Sequence, residues 1–432
     1  MNFHKNFFNV EIQTDQGLLL YNILNQNFVL LEKDYEEFYR GFPGVYDQKL
    51  LQEFVDAGFL VSDMLDERKY FLRNFKLSRY CSRKLLFTIV PTTACNFRCS
   101  YCFEKGIPFR NMTDEVAERV KSFIKERVDI WKPELVEVTY YGGEPLLYTE
   151  RIVDLGHFFK ELSVKVGFKL KGDIVTNGYM LDLQTARLLH SEAKVSSAQI
   201  TLDGPPKVHD KRRPLHVGGQ TFNRIIENIR DILNSDLDFT IRVRINVDRE
   251  NIESLEELLS YLNSIKNEKV EVYFSPVTGE KDKYCEGDNL FSIKEFAEVY
   301  MEKIVPLLLK FDFKFDLYPN ISYVFCGGVT PFHYVIDSDG SIKKCFDVVG
   351  KDEESIGSVE NYREEDLRVL MWETMDLLDE ECESCKFLPV CGGGCPYFRL
   401  RNGYSRCEMW RYILEPWLLK IFELKREEVS GR

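Results

Sequence analysis

The sequence predicts an α/β fold: six βα units around a parallel sheet, with a small α+β unit before them and a cysteine-rich segment after them. Two observations carry this. Between Lys84 and Pro276, short apolar runs alternate with amphipathic helical patterns, and that alternation is the mark of βα units with parallel strands. The 432 residues are 44% apolar and 29% charged, which is enough chain to bury sizeable cores in two or three domains.

Taken in order, residues 1–80 form the first unit. Val10–Gln13, Leu18–Tyr21 and Phe28–Leu31 read as short strands separated by turn residues. Helical patterns follow at Lys33–Arg40, at Gln48–Ala57 (stopped by Gly58) and at Asp63–Leu77. The second unit, 81–276, carries strands at Leu85–Val90, Leu135–Tyr141, Lys169–Val175, Ala198–Leu202, Thr240–Val247 and Val270–Phe274. Its helices are Thr113–Arg127, Thr149–Val166, Asp182–Glu192, Thr221–Asn234 and Ile252–Ser264. Residues 277–320 form a bridge with a polar loop, Thr278–Lys283, and a helix, Ser292–Leu309. The cysteine-rich segment is 321–432.

Bulk properties exclude several roles. A net charge of −13 argues against a general nucleic-acid binder, which needs a basic surface to neutralise phosphates. No apolar run approaches the roughly 18 residues of a membrane span, and Met1–Lys5 lacks a signal-peptide profile. The expected location is therefore the cytoplasm. Twelve cysteines in such a chain read as metal ligands before disulfides. Ten fall into cluster-like spacings, leaving Cys81 and Cys285 unassigned.

The stretch Pro91–Glu104 organises the rest. Cys95, Cys99 and Cys102 stand there at spacing C-x3-C-x2-C. Three thiolates on a short loop suit three irons of a [4Fe–4S] cube and leave the fourth iron open to a small chelating molecule. The alternatives are buried thiols or a zinc knuckle with Cys81 as a fourth ligand. With Tyr101 before the third cysteine, the motif resembles that of radical S-adenosylmethionine (SAM) enzymes. The resemblance implies a partial (β/α)6 TIM barrel, a [4Fe–4S] cluster, SAM, and a 5′-deoxyadenosyl radical that takes a hydrogen atom from the substrate. In such barrels the chemistry sits at the C-terminal ends of the strands.

The further motifs fall at those ends. After the second strand comes Gly142-Gly143-Glu144-Pro145. Its glycines allow close backbone approach, and Glu144 either fixes the loop or accepts from an ammonium. It resembles the family's loop that binds the methionine amine of SAM. Thr176-Asn177-Gly178 and Thr201-Leu202-Asp203-Gly204-Pro205 end the next two strands and are ordinary turn chemistry by themselves. By resemblance, Asn177, Thr201 and one arginine of the Arg212–Arg213 pair, with Arg213 preferred, hold SAM ribose or carboxylate groups. On the fifth strand Arg242 and Arg244 share a face. Arg244 and Asn246 point toward SAM or substrate, or else the arginines pair with barrel acids.

At the C-terminus stand Cys326-x13-Gly340-x4-Cys345, then Cys382-x2-Cys385-x5-Cys391-x3-Cys395, then Cys407. The glycine suits a tight hairpin at Asp337–Gly340. Two zinc sites are the plain alternative. The pattern resembles the SPASM domain, which carries two auxiliary [4Fe–4S] clusters. That resemblance assigns Cys382, Cys385, Cys391 and Cys407 to an outer cluster and Cys326, Cys345 and Cys395 to an inner one. The inner cluster's fourth position is left open or filled by Cys285. In the related anaerobic sulfatase maturases an aspartate base directly follows the second cysteine of this pattern. Here Phe346 stands there and Asp347 comes one later, which on a strand would turn it to the other face. Asp347 is the candidate base.

The first unit resembles the winged-helix, RRE-type domain of peptide maturases, which binds a leader peptide by adding it to a sheet edge. A plain cap on the barrel is the alternative. The resemblance implies an oxidoreductase that modifies a ribosomally made precursor peptide, with a thioether as the expected product. A carbon–carbon cyclophane, formylglycine formation on a sulfatase, and non-catalytic Fe–S electron transfer stay as alternatives. The implied partners are the precursor peptide and a reductant such as flavodoxin or ferredoxin, with no nucleic acid and no membrane.

Overall fold

The computed structural model describes residues 2–277, 289–315, 318–324 and 326–430, with side chains through residue 426. The first unit holds β1 (Phe3–Lys5), β2 (Asn9–Thr14), β3 (Gly17–Asn22), β4 (Phe28–Leu31), α1 (Lys33–Gly41), α2 (Gln48–Asp56), β5 (Leu60–Ser62) and α3 (Glu67–Ser78). β2, β3 and β4 form an antiparallel sheet, and β1 pairs with β5. The sequence reading lacks β1 and β5, because three residues are too few to show a period. Helices begin where acidic side chains satisfy free N–H groups: Asp47 accepts from Lys49 and Leu50, and Asp66 from Lys69.

The central unit holds β6 (Lys84–Thr92), α4 (Asp114–Trp131), β7 (Leu135–Gly142), α5 (Thr149–Val166), β8 (Lys169–Thr176), α6 (Leu183–Ala193), β9 (Val195–Thr201), α7 (Pro206–Arg212), α8 (Phe222–Leu233), β10 (Thr240–Val247), α9 (Leu255–Asn263) and β11 (Val270–Pro276). The six strands run in parallel and in chain order from β6 to β11, an open arc with every predicted βα unit in place. Apolar residues of successive strands, among them Ile89, Val138, Ile174, Ile200 and Val243, share one core with Phe123, Phe159, Ile229 and Leu258 of the covering helices. A helix absent from the sequence reading, α7, fills the loop after β9.

The C-terminal segment does not build a separate sheet. Its strand β12 (His333–Ile336) pairs in parallel with β6, and β13 (Ser341–Lys343) and β14 (Gly357–Ser358) extend the sheet antiparallel to nine strands. The β12–β13 turn is Asp337–Gly340, where Gly340 has φ +83°, a conformation that favours glycine. Two lysines after the turn are buried and paired: Lys343 with Asp337 at 2.8 Å and Lys344 with Glu373 at 2.6 Å. In the bridge, the predicted helix runs 293–310 with a π-helical turn at Tyr300–Ile304. Cys285 and the polar loop from Thr278 to Lys283 lie outside the described residues.

The first unit leans on the C-terminal segment and not on the mouth of the barrel. Phe8, Tyr21 and Phe71 share a core with Val329, Leu378 and Leu418. Tyr21 stacks on Tyr318 at 5.6 Å, and Phe71 on Tyr323 at 5.1 Å. At the end of α3 the Arg79 guanidinium donates to the carbonyls of Met375 and Glu373, each at 2.9 Å. Among the described residues no helix is long and apolar enough to cross a membrane. Phe71→Ala should cost about 3–5 kcal/mol of stability in chemical denaturation. A loss under about 1 kcal/mol, the level of an exposed site, would contradict the shared core.

Candidate active site

The cysteine loop begins where β6 ends and is anchored on two sides. On one side Arg98 N donates to Pro214 O at 2.9 Å, Ser100 N to Arg212 O at 3.0 Å, and His216 N to Asn96 O at 2.7 Å. On the other, Glu144 N donates to Ala94 O at 2.8 Å, and Gly143 N to Thr92 O at 3.3 Å. This second contact explains the paired glycines. A Cβ at Gly143 would lie 2.5 Å from Ala94 O and 2.6 Å from Thr93 O, and one at Gly142 would lie 2.4 Å from Thr92 O. Only bare backbone fits. Pro145 opens a short 3-10 turn, Pro145–Tyr148, that leads into α5.

Of the two roles open to Glu144, the loop-fixing one is visible in its hydrogen bonds. The carboxylate is fully buried and accepts from Thr176 Oγ1 at 2.7 Å, Asn177 N at 2.7 Å and Leu146 N at 3.1 Å. It clamps the β7 loop to the β8 end. Asn177 passes the clamp on, donating from Nδ2 to Asn96 Oδ1 at 2.7 Å and accepting from Tyr179 N.

Tyr101 is the second anchor. Its hydroxyl donates to the buried carboxylate of Asp203 and accepts from Arg213 Nη1 at 2.8 Å and Asn246 Nδ2 at 3.1 Å. Asp203 follows β9, Asn246 lies on β10, and Arg213 follows α7, so three chain segments converge on one ring. Arg212 lies over that ring, 5.2 Å from its centroid, and pairs with Asp248 at 2.8 Å. Thr201 is buried two positions before Asp203, at the end of β9.

The three loop cysteines fit a metal cluster by the chemistry of their surroundings. Burial pushes the Cys95 thiol up to about 12 and Cys102 up to about 11, and it raises Cys99 as well. Their charges interact with one another, while the Arg213 cation beside them opposes the rise. Bare thiolates are disfavoured in such a place, and iron ligation offsets that penalty. Among the described residues no three His, Cys, Asp or Glu side chains converge on a single metal ion. Cys81 is exposed and precedes β6, roughly 30 Å of strand from the loop, too far to be a fourth ligand.

The C-terminal cysteines sort into two groups. Cys326, Cys345 and Cys395 lie close enough to raise one another's thiols. Cys385 is coupled to Cys382 and Cys407, and Cys391 to Cys407. Arg411 donates to Cys407 Sγ at 3.1 Å. Asp347 stands between the first group and the barrel mouth. Residues Phe346–Val348 form a 3-10 turn and not a strand, so strand parity does not decide which way Asp347 faces. Burial raises the Asp347 carboxyl, and Arg244 and Arg406 oppose that rise. Arg242 pairs with Asp173 at 3.7 Å. Arg244 instead donates to Asn246 at 2.8 Å and Ser275 at 3.0 Å.

Sequence reading missed Glu104 and Tyr141. Burial together with the charges of Asp337 and Asp347 pushes Glu104 up to about 8. Tyr141 precedes the Gly-Gly pair and packs on Phe346 at 5.6 Å. Glu104 could have been noticed from its place two residues after Cys102; nothing in the pattern marks Tyr141. A cavity of about 700 Å³ opens between the barrel mouth and the C-terminal segment, lined by Tyr101, Cys102, Arg212, Glu250, Lys351 and Arg401 among others.

Residues 89–262 match the radical SAM superfamily. The chain is 24% identical over 340 residues to a cysteine-type anaerobic sulfatase-maturating enzyme of Clostridium perfringens, covering 70% of this chain and 86% of the relative. It is 31% identical over 194 residues to a GTP 3′,8-cyclase of Campylobacter jejuni, covering 42% and 52%. Its fold is similar to native anSMEcpe with bound AdoMet and Cp18Cys peptide (TM-score 0.57, 21% identity), covering 78% of this chain and 99% of that one. It is also similar to Streptococcus suis SuiB bound to precursor peptide SuiA (TM-score 0.54, 15% identity), covering 94% and 99%.

Gly143→Ala forces the two loops apart. The expected result is a chain of parental circular dichroism that retains less iron and binds SAM at least ~10-fold more weakly, about 1.4 kcal/mol. Parental iron content and SAM affinity would contradict the contact.

Proposed function

Because residues 89–262 form a radical SAM domain, we propose that this enzyme modifies a ribosomally made precursor peptide, joining a cysteine sulfur to carbon in a thioether. The observation that carries the reading is the union of three parts in one body. The radical SAM site opens onto a cavity walled by the C-terminal segment, and a sheet with a free edge rests on that same segment. The similarity to SuiB bound to its precursor peptide extends over 94% of the chain, which supports including the first unit.

In this reading Cys95, Cys99 and Cys102 hold a [4Fe–4S] cluster, and the backbone of Gly142–Pro145 positions the methionine of SAM on it. Together they supply a 5′-deoxyadenosyl radical. The chain does the rest. Glu144 and Asn177 keep the two loops in register, and the Tyr101–Asp203–Arg213 network fixes the third cysteine. Thr201 and Arg213 border the SAM side of the mouth, and Arg244 the substrate side. Thioether formation removes two hydrogens from the peptide. One leaves as an atom to the radical, and the other as a proton, for which Asp347 is the acceptor. The remaining electron would need an acceptor, the chemistry that auxiliary clusters would supply if held by Cys326, Cys345 and Cys395 and by Cys382, Cys385, Cys391 and Cys407.

β4 is hydrogen-bonded only to β3 among the described residues, and Val29 and Leu30 are exposed on it. An extended leader added there would gain main-chain hydrogen bonds and side-chain pockets. Beside it, Leu19, Phe28 and Phe422 line a groove of about 320 Å³.

A second reading, formylglycine formation on a sulfatase, is favoured by Asp347, which lies near Cys345 and Arg244. Anaerobic turnover of a precursor peptide with mass spectrometry separates the products. A 2 Da loss that also blocks thiol alkylation is expected. The same loss with every thiol still reactive would move the assignment to a carbon–carbon crosslink, and no change of the peptide would contradict the reading. Val29→Glu with Leu30→Lys should weaken precursor binding at least ~10-fold in a binding titration while leaving peptide-independent SAM cleavage intact. Unchanged peptide affinity would remove β4 as the docking edge.

A further inference from the structure

The surface above the cysteine loop carries the opposite sign of charge to the chain as a whole. Asp and Glu outnumber Lys and Arg by 70 to 57, and many exposed cations are paired, such as Arg249 with Glu295 and Lys303 with Glu253. Arg98, Lys207 and Lys211 are exposed. None of the three has a carboxylate within 4.0 Å among the described residues. Lys207 and Lys211 are one turn apart on α7 and share a face. Arg98 joins them because its backbone bonds to Pro214, just past the end of α7. The nearby acids are committed elsewhere. Asp210 accepts from Thr221 N and Phe222 N, and Asp248 and Glu250 pair with Arg212.

This cationic arc borders Ser100, which is exposed between Cys99 and Cys102. Beside it lie two uncovered apolar side chains, Phe109 (67% exposed) and Val217 (91% exposed). Phe109 meets the ring of His216, whose backbone N bonds to Asn96 O. An apolar centre with a charged rim is the anatomy of a protein-docking surface. The outer cysteines present the opposite field: Glu380, Glu381 and Glu383 surround Cys382 and are exposed.

We propose that this arc is the docking site of an acidic one-electron carrier protein of the flavodoxin type, and that reducing electrons enter directly at the Cys99–Cys102 loop and not through the C-terminal cysteines. The inference rests on the radical SAM reading above and names its electron donor. On a chain of net charge −13 an acidic partner is repelled except where cations are concentrated, so the arc supplies both orientation and rate of encounter. In the step itself the carrier loses one electron and the cluster gains it; no bond forms or breaks and no proton moves.

The test is a titration of oxidised flavodoxin onto the reconstituted full chain, followed by flavin fluorescence, alongside deoxyadenosine formation driven by reduced flavodoxin or by dithionite. Lys207→Glu with Lys211→Glu should weaken flavodoxin binding at least ~10-fold and flatten its salt dependence. The same variant should slow flavodoxin-driven turnover and keep the dithionite-driven rate within about twofold of the parent, which also shows that it folds. Arg98→Glu alone should act in the same direction. Unchanged flavodoxin affinity in both variants overturns the proposal. Absence of deoxyadenosine with dithionite in the parent chain counts against the radical SAM activity itself, while the titration still decides the docking site.

Discussion

The hydroxyl of Tyr101 is the point on which the site depends. It binds a buried carboxylate, a buried guanidinium and a side-chain amide, drawn from the ends of β9, α7 and β10. Such a network is costly unless complete: removing one charged partner of a buried pair typically costs about 3–5 kcal/mol. Completeness therefore fixes geometry. The cysteine loop has little regular structure of its own, and this network together with the Glu144 clamp gives it a defined place on a rigid sheet.

The same sheet also places the C-terminal chemistry. β6 leads directly into the Cys95 loop, and β12, its parallel neighbour, leads through a four-residue turn and β13 to Cys345. Two cysteine sets far apart in sequence are thus tied to adjacent strands, the kind of rigid support that a site of fixed geometry needs. The first unit is tied in turn to the C-terminal segment through Phe71, Tyr21 and Arg79. A peptide held on β4 would be anchored to the body that walls the cavity, and not to a loosely tethered domain.

Much of this was legible in the sequence. Each of the six βα units announced itself because a buried parallel strand must be apolar and its covering helix must be amphipathic. The cysteine spacings, Gly142–Pro145, and the turns after β8 and β9 were visible because local chemistry constrains them. What escaped notice depends on contacts distant in sequence. The pairing of β12 with β6 joins residues more than two hundred positions apart, and no local period records it. Glu144 was readable as either clamp or ligand until Thr176 and Asn177 were seen against it. Strand parity was applied to Asp347 because the residues after Cys345 were read as a strand, whereas they form a 3-10 turn. A 3-10 turn follows a different period, and it keeps Asp347 beside Arg244 and Cys345. Glu104 was passed over because its neighbours Asp337 and Asp347 come from the far end of the chain.

The central claim is that the Cys95–Cys102 loop holds a cluster with one iron open to SAM. The most direct measurement is electron paramagnetic resonance of the anaerobically reconstituted, dithionite-reduced protein with and without SAM. The account predicts a signal that changes on adding SAM and disappears when Cys95, Cys99 and Cys102 are replaced by Ala, while signals from the C-terminal cysteines persist. A spectrum indifferent to SAM, or one unaltered by the triple replacement, would contradict it.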